Sequence, residues 1–170
     1  MSTDAKVSAH DFFTQYLPAA MLQGWINTMR NWRTQSPVDP QTAARFLAVR
    51  RRLIRELHAA GAGILLGSDA PQVGNVPGFS IPRELASYVA AGLTPYQALE
   101  TGTRSVARFF GAGREFGTVE AGKRADLVLL DANPLADIAN FERQAGVMVR
   151  GRWLSADDIR RRLEALAASR

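Results

Sequence analysis

The sequence predicts an α/β chain, and three observations carry that prediction. An amphipathic stretch of helical period ends near Gly61, and after Ala62-Gly63 it gives way to a short run that is apolar throughout, Ile64-Leu65-Leu66. Three short helical patterns, each closed by a glycine, follow over residues 80–111. Beyond residues 111–117 the texture turns to runs rich in β-branched and alternating residues, followed by a final helix. A boundary at 111–117 therefore divides an α/β part, residues 1–111, from a small β part with a terminal helix, residues 112–170.

Each element has a local reason. Pro18 opens a helix that carries Met21, Trp25 and Met29 at spacings of four. Ser36-Pro37 and Asp39-Pro40 break the chain, and Thr42 is the expected N-cap of the next helix. On that helix Phe46, Val49, Leu53 and Leu57 share one face. Arg45, Arg51, Arg52 and Arg55 lie opposite them and Arg50 at the edge, which reads as a solvated face over a buried one. Residues 64–66 then read as a parallel strand buried on both sides. Ser80, with Pro82 in the first turn, starts a helix that Gly92 stops. Thr94-Pro95-Tyr96-Gln97 is a capping box, and the segment from Thr103 to Gly111 gives a third helix. A turn at Glu120-Ala121-Gly122 precedes a strand over residues 126–130, and residues 146–154 read as one more strand. Ser155 and Asp158 cap the last helix, with Leu154 placed to staple against Ile159.

Composition excludes several classes of function. With 170 residues, 46% of them hydrophobic and 22% charged, the chain has material for a core. The absence of cysteine removes disulfides, thiol catalysis and Cys-based zinc sites. No apolar run approaches the ~18 residues that a membrane span needs, and the first residues carry no signal-peptide pattern, so a cytoplasmic, membrane-free protein is expected. The net charge of +5 is largely arginine, but it lacks the aromatic interleaving of a nucleic-acid surface, so no nucleic-acid partner is expected.

One residue stands out chemically. The apolar run 64–66 climbs through Gly67-Ser68 to a single carboxylate, Asp69, and a loop rich in Gly, Pro and Asn follows. Acids at the C-terminal ends of parallel strands border the crevice in which α/β proteins bind ligands. The bland alternative is a loop aspartate that caps a turn. A metal would require about four ligands. The chain offers only His10 and His58, and a helix preceding a parallel strand places His58 one strand length away from Asp69. No His-x-His or His-Glu-x-x-His pattern is present. Ser68 lacks a nucleophile elbow, and Lys123 beside Gly122 belongs to a hairpin turn rather than a phosphate loop.

Three segments in order resemble the C-terminal part of the metal-dependent amidohydrolase superfamily, in its imidazolonepropionase-like and prolidase-like branch. Residues 63–70, "GILLGSDA", are similar to its last barrel strand. Residues 82–111, "PRELASYVAAGLTPYQALETGTRSVARFFG", resemble the helices that follow. Residues 116–138, "FGTVEAGKRADLVLLDANPLADI", resemble the return into a small β-domain. Residues 1–60 fit loosely, as an insertion and the seventh barrel helix.

The resemblance implies a C-terminal fragment of a TIM-type (β/α)8 barrel plus part of a small β-sandwich. It implies hydrolysis of a C–N bond in an amide, cyclic amide or dipeptide by metal-activated water. It makes Asp69 both a metal ligand, with zinc as the usual ion, and the acceptor of the water's proton. The loop over residues 70–79 would then form part of the substrate pocket. The family's His-x-His pair, its mid-barrel Lys or Glu and its two later histidines are absent, and Pro82 stands where many relatives carry histidine. The chain alone is therefore expected to bind no metal and to be inactive. The alternative is a non-catalytic remnant or partner subunit that needs a separate N-terminal barrel chain. Unpaired strand edges and apolar helix faces lead to an expectation of self-association.

Overall fold

The computed structural model describes residues 12–169; His10 lies outside them. A 3-10 turn (Phe12–Tyr16) leads through Pro18 into α1 (Ala19–Gln35). Trp25 is the buried side chain of α1; together with Leu17 and Val76 it forms a small core that Leu22, Val73 and Phe79 flank. Of the expected spacing-of-four series, Met21 is exposed.

Helix α2 (Pro40–Ala59) is capped by Asp39, not by Thr42. The Asp39 carboxylate accepts the Thr42 amide at 2.9 Å. Pro40 then occupies the first helical position, where a missing N–H costs nothing. The helix is also turned differently from what its apolar stripe predicts. Phe46, Val49, Leu53 and Leu57 are exposed, at 57, 64, 55 and 44%. The half-buried line is instead Ala43, Leu47, Ile54 and His58, roughly 90° around the helix, and Ile54 packs against the main core. Helical period finds an apolar stripe; it does not say what lies across from it.

The main core gathers around α3 (Ile81–Ala90) and α4 (Pro95–Thr101). Leu85, Tyr88, Leu93 and Ala98 are buried there against Ile54, Ile64, Leu66, Ile138 and Phe141. Burying Leu85, at 1% exposure, contributes about 2 kcal/mol. Both halves of the predicted capping box on α4 form: the Gln97 amide donates to Thr94 Oγ1 at 3.2 Å and the Thr94 amide to Gln97 Oε1 at 2.8 Å. A short α5 (Arg104–Phe109) follows, and Gly111 reverses the chain at φ +66°.

Residues 64–66 do not form the expected strand. A strand needs a ladder partner, and no described residue supplies one. The run is held instead by two hydrogen bonds: the Leu66 amide donates to the Thr101 carbonyl at 3.0 Å, and the Tyr88 hydroxyl donates to the Leu65 carbonyl at 2.9 Å. Gly102 lets it approach closely, because a Cβ there would lie 2.6 Å from Leu66 Cδ2 and 3.3 Å from its Cβ.

One antiparallel sheet is present among the described residues, in the order β1 (Leu127–Leu130), β2 (Gln144–Val149), β3 (Arg152–Ser155). Its register pairs Val128 with Val147 and Met148 with Trp153, and a bulge interrupts β1 after Leu129. The expected single strand over residues 146–154 is a hairpin. Arg150 and Gly151 both take positive φ, +49° and +78°, the signature of a two-residue turn matched to strand twist. Helix α6 (Ala156–Ala168), with the predicted Ser155–Asp158 capping box, packs on β2 and β3. A second 3-10 turn (Ile138–Glu142) carries Ile138 and Phe141 into the core of α3 and α4.

Candidate functional site

Asp69 sits at the end of the apolar run, exposed, with φ at +54°. The left-handed region is unfavourable for most L-residues and is more readily visited by Asp and Asn. Backbone held there costs free energy and persists where its surroundings impose it.

The surroundings of Asp69 are a braced loop. The Gln72 side-chain amide donates to Asp69 Oδ2. The backbones of Gln72 and Asn75 bond reciprocally, at 2.7 and 3.3 Å. Asn75 Nδ2 donates to the Ser68 carbonyl at 2.6 Å, tying the far arm of the loop to the residue before the acid. Arg83 Nη2, from α3, donates to the Gly74 carbonyl at 2.5 Å and to Ser80 Oγ at 3.0 Å. The buried Ser80 hydroxyl accepts the Val76 amide at 2.8 Å. Below the loop, Val76 enters the Leu17–Trp25 core and Phe79 stacks on Tyr16 with centroids 5.3 Å apart. α1 and the turn before it thus serve as a foundation for the loop that carries the acid.

The sequence does not mark Gln72, Asn75 or Arg83 as braces of the Asp69 loop. No periodicity marks contacts within a loop; the weak signal was the clustering of Gln, Asn and Gly after the acid.

His58 lies where its place before the run predicts. It lines a polar cleft of about 190 Å³ with Gly61, Ala62 and Gly63, at the other end of residues 64–66 from Asp69. Arg104, Arg108 and Glu100 share that cleft, and the Arg104 guanidinium lies 2.5 Å from Glu100 Oε1. A more apolar groove of about 720 Å³ runs between Tyr16, Gln144 and the α6 residues Ile159 and Leu163. Asp69 lines neither. Lys123 sits in a turn, its amide donating to the Glu120 carbonyl at 3.2 Å and its ammonium 3.3 Å from Glu120 Oε1, but no described strand precedes it, so the turn is not the expected hairpin. Asp126 closes a strand end: its Oδ1 accepts the Arg150 amide at 2.6 Å, and this bond first, then Arg124, holds its carboxyl below the usual range.

Among the described residues, no three His, Asp or Glu side chains converge as a metal would require. Asp69 stands alone among such groups, and one of its oxygens is already engaged by a neutral amide donor. Among the described residues its donor set does not fit a metal ion. No described helix is long and apolar enough to cross a membrane.

Residues 19–154 match the model of the amidohydrolase family. An imidazolonepropionase of Geobacillus sp. is 36% identical over 87 residues, which cover 51% of this chain and 20% of that protein. A 5-methylthioadenosine/S-adenosylhomocysteine deaminase of Moorella thermoacetica is 35% identical over 85 residues, 46% of this chain and 20% of that one. The solved structure of the bottromycin amidohydrolase superposes with a TM-score of 0.70 at 26% identity, over 89% of this chain and 34% of that chain. The chain spans about a fifth of the length of the curated relatives it matches.

Proposed function

The chain belongs to the amidohydrolase family, and from that premise we propose that it is the C-terminal part of a hydrolase acting on C–N bonds. The substrate would be an amide, a cyclic amide or a dipeptide. On this reading residues 12–111 close a (β/α)8 barrel, and the β1–β3 sheet with α6 is part of a small β-domain. The observation that carries the reading is Asp69: an acid in left-handed backbone at the end of the apolar run, inside the matched region, on a loop braced from two sides.

In that enzyme Asp69 is the proton acceptor. Gln72 orients its carboxylate through Oδ2, which leaves Oδ1 to receive a proton from an attacking water. The family is generally metal-dependent, and the resemblance implies zinc. Because the donor set here does not fit a metal ion, no step through one is assigned to this chain.

The test is complementation. The purified chain is assayed on a panel of amides, cyclic amides and dipeptides. It is tested alone and together with a polypeptide that supplies the remaining barrel strands and a His-x-His motif. Turnover is expected only in the complemented form, with a loss of about 10²-fold or more for Asp69→Asn at unchanged circular dichroism. Full turnover by the chain alone would refute the proposal, as would an unimpaired Asp69→Asn complex.

A carboxylate with no companion ligand among the described residues also favours a second reading, a non-catalytic remnant or partner subunit. It predicts a complex that forms but is indifferent to Asp69→Asn.

A further inference from the structure

The stripe of α2 formed by Phe46, Val49, Leu53 and Leu57 is exposed at all four positions, and its borders are charged in an unbalanced way. At 100° per residue Arg50 borders one side and Glu56 the other, with Arg45 and then Arg52 beyond Glu56; of the arginines expected opposite the stripe, only Arg51 and Arg55 lie fully across from it. Glu56 is engaged by Arg52 at 2.7 Å. Arg50 lies over the Phe46 ring at 5.7 Å, so its charge sits at the very edge of the apolar strip. No carboxylate among the described residues pairs with Arg45 or Arg50.

We infer that α2 is a charge-selective docking helix, whose occupant is an amphipathic helix with an apolar ridge bordered by Asp and Glu. Three features of the helix lead there. Val49, Leu53 and Leu57 form an i, i+4, i+8 row, the kind of ridge that seats in the groove of another helix. The other flank of α2 is already taken by α3, where the Arg55 stem runs against Gly92; in a ring of barrel helices each has two neighbours, and the stripe faces a side that no described element fills. Charge then selects the partner. Two copies of α2 meeting along the stripe would set Arg45, Arg50 and Arg52 against the same arginines with only the engaged Glu56 between them, whereas an acid-bordered ridge neutralises them.

That the occupant is a barrel helix supplied by a separate polypeptide rests on the barrel reading above. The surface does not depend on Asp69, so a failure here leaves the Asp69→Asn result standing, and the reverse.

The test uses two stapled helical peptides of about 20 residues with one leucine ridge, bordered by glutamate in one and by lysine in the other. Each carries a fluorophore and is titrated with the whole chain by anisotropy. The glutamate peptide is expected to bind at least about tenfold more tightly than the lysine peptide at low salt, and to lose that margin near 1 M salt. Leu53→Glu should abolish binding with circular dichroism and melting unchanged, since the side chain is more than half exposed. The double variant Arg45→Glu, Arg50→Glu should reverse the preference. Equal affinity for the two peptides would overturn the inference, as would no binding of either or binding that survives Leu53→Glu. A homodimer of the chain that Leu53→Glu dissolves would overturn it too.

Discussion

Tyr88 shows how a single side chain fixes the position of the acid. Its hydroxyl leaves the core of α3 to hold the Leu65 carbonyl at 2.9 Å, four residues before Asp69. Burial, and then the nearby Glu84 carboxylate, push its phenol up to about 12. The neutral form is therefore the one the fold favours. Its contribution is fully present below the ordinary phenol value near 10 and disappears as pH rises toward 12. Tyr88→Phe should cost about 1 kcal/mol in urea unfolding at neutral pH, the usual value of such a bond. The gap between wild type and variant should narrow from pH 10 to 12. A gap that stayed constant through that range would mean that Tyr88 does not titrate with folding. Asp69 itself was legible from the sequence as an acid at the end of an apolar run. Its left-handed backbone and its bonds from the loop were not, because they arise among irregular residues whose spacing carries no period.

At the scale of elements, the sequence was most legible where structure is decided locally. The boxes at Thr94–Gln97 and Ser155–Asp158 involve residues three apart, and both form as written. Asp39 displaced Thr42 as the cap of α2 because a proline at the first helical position favours the residue just before it. The hairpin of β2 and β3 was hidden because Arg150-Gly151 is not one of the common turn pairs, although both residues adopt the required positive φ. Elements that need a distant partner were the least legible. Residues 64–66 have the composition of a buried strand but no ladder, and the stripe of α2 has the period of a buried face but no cover. Gly102→Ala tests how tightly that run is seated. Its methyl would press on Leu66, and it should lower stability by about 1–3 kcal/mol. Hydrogen exchange at Leu66 should quicken along with it. An unchanged melting temperature would show that the run has room to shift.

For the whole molecule, the exposed apolar surface is the dominant fact. Beyond α2 it includes Phe109 and Phe110, at 69 and 68%, and Val128 and Leu129 on the β1 edge of the sheet, at 48 and 56%. An open apolar strand edge is a template for pairing, and patches of this kind mark interaction sites. The isolated chain should associate in a concentration-dependent way by analytical ultracentrifugation. Leu129→Lys, placed on that edge, should reduce the association, and a monodisperse, cooperatively melting wild-type monomer would contradict it.

The second 3-10 turn has a consequence for how this chain can be divided. Ile138 and Phe141 insert among Leu85, Tyr88 and Leu93, so the sheet-bearing end and the helical end complete one interior between them. A recombination point at residues 111–117, where the composition changes, would leave each product with half of that interior. The smallest portion that could move between genes with its core intact therefore reaches from α2, which carries Ile54, through the turn at Ile138–Glu142, across the seam that composition alone would choose as the place to cut.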